Sequence, residues 1–216
     1  MSAAEQRQAI ADLAELARRD LFKLLSGVAP KDYRDALAAV LPQLGSAYGD
    51  AAAALAADWY ESLREAAEVR GRFAPVLARE PDVGRWESLA GWAASHLDPL
   101  ALAAGGLQRS IADQHRLTIV GSSIADPAAA GWKRVARAGA CGFCRMLAGR
   151  DGAVYTEASV DFKSHDNCSC TASPSWAPNV TKVIGVPFRY SQKKASWSAE
   201  RKARENRRVY DFLADS

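Results

Sequence analysis

The residues with the most chemical potential in this chain are four cysteines and one histidine, and they fall in a single segment. It runs Cys141-Gly-Phe-Cys144, then twenty residues, then His165-Asp-Asn-Cys168-Ser-Cys170. A Cys-x2-Cys knuckle presents two sulfurs from one tight turn, with Gly142 easing the backbone, and His165 and Cys168 repeat the same spacing. Structural zinc takes four thiolate or imidazole ligands in a tetrahedron, so Cys141, Cys144, His165, Cys168 and Cys170 are candidates for four places. One intervening residue is expected to make it strained for Cys168 and Cys170 to bind the same ion, so one of the two drops out; which one is left open. The first 140 residues contain no cysteine, and a cluster of this kind in a reducing cytosol points to metal more than to disulfides.

Other chemistries fit less well. A thioredoxin-like exchanger needs Cys-x-x-Cys opening a helix in a βαβ setting, whereas here helical patterns precede it and a further Cys-x-Cys follows. A zinc deaminase needs His-x-Glu upstream, but His96 is followed by Leu97-Asp98 and His115 by Arg116-Leu117. His-Glu-x-x-His is absent. A cysteine protease pairing Cys141 or Cys144 with His165 lacks a readable oxyanion framework, and those residues are better explained as ligands. No catalytic and no cofactor-binding residue is assigned, and the chain is expected not to be an enzyme. His96 and His115, alone within helical patterns, are expected to be structural.

The elements that must position the cluster follow from apolar periodicity. Helices are predicted from about Ala3 to Ser26, from Lys31 to about Leu41 with Pro42 and Gly45 ending it, and from Asp50 to Val69. Two more are predicted from Val83 to His96, with Trp86 and Trp92 packed in the core, and from Leu100 to Ser123 behind Pro99. That makes five helices before any strand. From Trp132 the pattern breaks into short pieces, extended at Arg134 to Ala138, Ala153 to Thr156 and Cys170 to Ala172, with Trp132 and Trp176 bracketing the module and sealing its underside. The fold class is therefore mainly α, with a helical N-terminal region over 1–130, a small C-terminal α+β zinc-type module over 131–180 and a basic tail over 181–216. A module of about 45 residues holds too little core to stand alone, and a metal would supply what the core lacks. Ser198 to Leu213 is a helix candidate or an arm that orders on a partner.

Charge narrows the function classes. The net charge is +3, but from Thr181 to Ser216 nine basic residues face four acids, so the tail is +5 and the remainder −2. Such a tail gives DNA phosphates only weak, salt-sensitive contact and no specificity. The start of the chain lacks a secretory pattern, and its apolar runs fall far short of the roughly 20 residues that span a bilayer. A cytoplasmic setting is expected, without a membrane role.

One resemblance draws on several of these residues together: Trp132-Lys-Arg-Val-Ala-Arg, Cys141-Gly-Phe-Cys144-Arg-Met-Leu-Ala-Gly-Arg, Ala153-Val-Tyr155 and His165-Asp-Asn-Cys168-Ser-Cys170 ahead of Pro174. The chain resembles the MuF-like minor capsid proteins of tailed bacteriophages, and Gly105-Gly106-Leu107-Gln108-Arg109 and Ala125-Asp126-Pro127-Ala128 are similar to the actinobacteriophage branch. The family pattern commonly has Arg where this chain has Ser169. The resemblance implies a low-copy protein of head morphogenesis that meets the portal or the inner face of the major capsid shell, found in the virion and, during assembly, in the host cytoplasm. It implies no established catalytic residue. The runner-up function is a Cys-dependent hydrolase or protease of head maturation.

Overall fold

Ser2 opens the first helix, α1 (Ala3–Leu24), through a capping box: its hydroxyl accepts from the Glu5 N–H at 3.2 Å while the Glu5 carboxylate accepts from the Ser2 N–H at 2.6 Å. Ile10, Ala14, Ala17 and Leu21 then line one buried face at helical spacing. The structure is a computed structural model that describes residues 2–140, 142–149, 153–157, 162, 168, 170–183, 197–201, 203–204 and 207. After a single 3-10 turn at Pro30–Asp32 come α2 (Tyr33–Ala66), α3 (Val83–Ala94) and α4 (Pro99–Ala125). Asp82 and Asp98 cap α3 and α4 by accepting from Gly84 and Ala101 N–H groups, and Pro99 takes the first helical position as expected.

The expected pair of helices over Lys31 to Leu41 and Asp50 to Val69 is one continuous helix, so four α-helices precede the first strand instead of five. Pro42 removes one helical hydrogen bond and costs about 3 kcal/mol in a helix interior. Leu37, Leu41, Leu44, Ala52, Ala53 and Ala56 are all buried along α2, and each fully buried leucine contributes about 1.5–3 kcal/mol, so burial of the whole face outweighs the proline. Gly45 is not a stop signal either. The Trp86 ring of α3 occupies the place where a Cβ on Gly45 would project.

Two cores share the long helices. In the first, α1, the front half of α2, Trp86, Ala90 and Ala93 of α3, and Leu107 and Ile111 of α4 pack together. Trp92, expected in that core, is 45% exposed and leans on His96 with ring centroids 4.8 Å apart; six residues from Trp86, it has turned to another face of α3. In the second core Ala56, Trp59 and Tyr60 of α2 and Ile119 and Val120 of α4 pack against the C-terminal module. Between α2 and α3 the chain lies along α4, with the N–H groups of Val76 and Ala78 donating to Ser122 Oγ and Thr118 Oγ1.

The module consists of β1 (Gly131–Val135), α5 (Gly142–Ala148) and β2 (Thr171–Ser175), the strands antiparallel with Trp132 opposite Pro174. Pro174 has no N–H to give, and Trp132 directs both of its backbone groups to Tyr155 instead, at 2.9 and 2.7 Å. Gly131, at φ +146, passes so close to the Tyr155 carbonyl that a Cβ would overlap it. Asp126, just beyond α4, fastens this module to the helices. Its Oδ2 accepts from Tyr60 Oη, Arg64 Nε and Trp176 Nε1, all at 3.0–3.1 Å, and its Oδ1 accepts from the Ala128 N–H. Burial pushes the Asp126 pKa up, but these four hydrogen bonds together hold it below the ordinary carboxylate value. No helix among the described residues is long and apolar enough to cross a membrane.

Candidate metal centre

Cys144 lies on α5, and Cys168 and Cys170 lie just ahead of β2. All three are buried, and their sulfurs lie within 4.8 Å of one another. Both members of the Cys-x-Cys run therefore meet one neighbour, Cys144, within the same small volume. Cys141 and His165 lie outside the described residues, as does most of the basic tail; its described residues 199–201, 203–204 and 207 are helical.

Whether these residues fit a metal can be tested on the sulfurs themselves. Zinc–sulfur bonds of about 2.3 Å in a tetrahedron set a sulfur–sulfur edge of about 3.8 Å; Cys144 Sγ and Cys168 Sγ are 3.7 Å apart. The three thiols thus offer three corners of a site for a thiophilic divalent ion. Their protons are already unequal. A hydrogen bond from the Cys170 thiol pulls the Cys168 pKa well below the ordinary thiol range, against burial, with the Cys170 N–H, the Arg116 charge and the Cys144 thiol adding to it. The same contact and burial raise Cys170.

Two buried guanidinium groups face this cluster. Arg134, on β1, donates to Cys144 Sγ at 3.9 Å and sits 3.7 Å over the Phe162 ring. Arg116, in the middle of α4 and 2% exposed, donates through Nε to the Cys170 carbonyl at 2.9 Å and through Nη2 to the Cys168 carbonyl. Its Nη1 donates to Asp113 Oδ1 at 2.7 Å. Trp132 backs the arrangement, stacked on Tyr155 at 4.6 Å and tilted against Phe162 at 5.6 Å. Trp176 packs instead on Tyr60 and Asp126. Sequence reasoning missed Arg116, Arg134 and Phe162 as neighbours of the thiols; only Arg134 stood in a motif that had been singled out, and nothing in the local pattern around Arg116 separates it from a surface arginine.

Beside Cys168 and Cys170 is a cavity of about 40 Å³ between α1 and α4, lined also by Arg7, His115 and Thr171. Arg7 Nη1, His115 Nε2 and Thr171 Oγ1 are buried there without a hydrogen-bond partner among the described residues. The space suits two or three waters and is far below the roughly 300 Å³ at which small-molecule sites begin. Burial and the neighbouring Arg116 charge lower the His115 pKa to about 3, so its imidazole is neutral.

Fold and site together define a mainly helical protein whose C-terminal module is gathered around a buried cysteine cluster. The chain belongs to the VG15 protein family, whose model matches residues 1–184, and this is a family of phage virion-associated proteins. No curated protein and no solved structure matches the chain.

Proposed function

We propose that the chain is a MuF-like minor capsid protein of the actinobacteriophage type, acting in head morphogenesis at the portal or the inner capsid face, and that its C-terminal module is held by a structural zinc ion. The family match over 1–184 supports the phage assignment. One observation carries the metal reading: three buried thiols from two separate parts of the chain within coordination distance of one another. Cys144, Cys168 and Cys170 would hold the ion with Cys141 or His165 in the fourth place, whereas the sequence expectation fills the four places with Cys141, Cys144, His165 and one of Cys168 and Cys170. Bound zinc would supply a fixed tetrahedral cross-link and no reaction step.

The chain in this reading is not an enzyme. Its thiols are buried in the second core, and Cys168 and Cys170 line a space of about 40 Å³, too small for a substrate. The helical faces and the basic tail would meet portal or capsid subunits, with DNA phosphates as a weak additional contact.

Purified protein should contain about one zinc per chain, and a chelator should lower its Tm by on the order of 10 °C or more. A metal-free chain whose melting ignores chelator would overturn the metal reading. Cys144→Ser should lose module folding and incorporation into heads together. A Cys144→Ser chain that still enters heads but loses a hydrolytic activity of the wild type would establish the alternative, a Cys-dependent hydrolase of head maturation. Labelled protein in purified particles should locate to the portal vertex or the inner shell; labelling of the tail alone would sink the proposed place of action.

A further inference from the structure

Arg116 is the point where the helical region grips the metal-binding run. Taking a guanidinium out of water is costly unless its donors are well used. All three directions of this one are used: Asp113, one turn back on α4, fixes the side chain through Nη1, while Nε and Nη2 reach the carbonyls of Cys170 and Cys168. The Phe162 ring centroid lies 5.2 Å from the guanidinium carbon. The two carbonyls belong to the two cysteines whose sulfurs share the cluster with Cys144.

We propose that Arg116 is the positioning residue of the thiol cluster: its planar fork fixes the backbone at Cys168 and Cys170 at once, so that both sulfurs face the same divalent, thiophilic ion. This rests on the metal reading above. Cys-x-Cys has ample freedom to swing one sulfur away, and two carbonyls anchored to one rigid, co-planar group remove that freedom. A lysine has the charge but not the fork, since its three donors radiate from one nitrogen and cannot meet both carbonyls in the same geometry. Partners that orient metal ligands are typically worth 10–100-fold in metal affinity.

The test uses the full chain titrated with cobalt(II), whose absorption reports both tetrahedral geometry and the number of bound thiolates, and then with zinc in competition. Arg116→Lys is expected to keep the helical circular dichroism of the wild type, to bind about 10–100-fold more weakly, and to show weaker thiolate-to-cobalt absorption per bound ion because one sulfur has left. Arg116→Gln, which keeps an amide NH2 but neither the fork nor the buried charge, should fail in the same way, whereas Arg145→Lys, exposed on α5, should be unchanged. Normal affinity and an unaltered cobalt spectrum in either folded Arg116 variant overturn the proposal and leave the metal reading standing. A wild-type chain that takes up neither ion overturns both.

Discussion

His115 shows what burial does to a single side chain. It is 1% exposed, its ring lies against Trp59 with centroids 6.0 Å apart, and its Nε2 has no hydrogen-bond partner among the described residues. With the folded pKa lowered from 6.5 to about 3, the unfolded chain binds one more proton than the folded chain between those two values. Stability therefore rises with pH across that window and is progressively lost as pH falls from about 6.5 toward 3. In urea melts His115→Gln should flatten the slope of unfolding free energy against pH by up to one proton between pH 6.5 and 4, relative to wild type; parallel slopes would contradict a buried neutral imidazole. The sequence marked His115 as structural and drew attention to the Cys/His segment, because residue type and spacing are local properties. It set Cys168 against Cys170 from their separation along the chain, which carries no information on where the two sulfurs lie relative to Cys144. The direction of the backbone ahead of β2 and the carbonyl anchor from α4 depend on residues more than fifty positions away.

Among the elements, α2 best separates propensity from packing. Gly45→Ala should stabilise an isolated helix by about 1 kcal/mol. In this protein the added methyl meets the Trp86 ring, and overpacking of that kind costs about 1–3 kcal/mol. The variant is therefore expected to melt lower than wild type and, with the smaller Trp86→Leu alongside, to recover part of the loss; thermal denaturation of the two variants checks the sign. Helices with clear caps and an apolar stripe, α1 and α4 above all, were legible to within a few residues, as was Pro99 at a helix start. The join across Pro42 and Gly45 was not, because a proline and a glycine read locally as breakers while the burial that keeps the helix going is tertiary. Trp92 was misplaced because residue type alone cannot say which way the tryptophan faces, and six residues carry it away from the face of Trp86.

At the scale of the molecule, the helical region and the cysteine module share a core. Trp59, Tyr60, Ile119 and Val120 come from α2 and α4, yet their apolar neighbours include Trp132, Tyr155, Phe162 and the three cysteines. A chain ending at residue 130 would leave that face bare and take away Trp176 from the Asp126 carboxylate. Such a truncation is expected to bind a hydrophobic dye and to associate in solution, read by dye fluorescence and light scattering, while a well-behaved monomer would show that the helices close on their own. The mainly helical class with a small module was readable from periodicity and from the break at Trp132. How closely the two parts interlock was not, since the shared core joins Ala56 to Val183 and no window along the chain spans it.

One consequence follows from the unbroken course of α2. Its 34 residues span about 51 Å, meeting Trp86 at Gly45 and carrying Ala56, Trp59 and Tyr60 into the core that holds the thiols. From Gly45 to Tyr60 that helix runs without a proline, so a load taken up beside Trp86 is handed to the thiol-bearing core through one element.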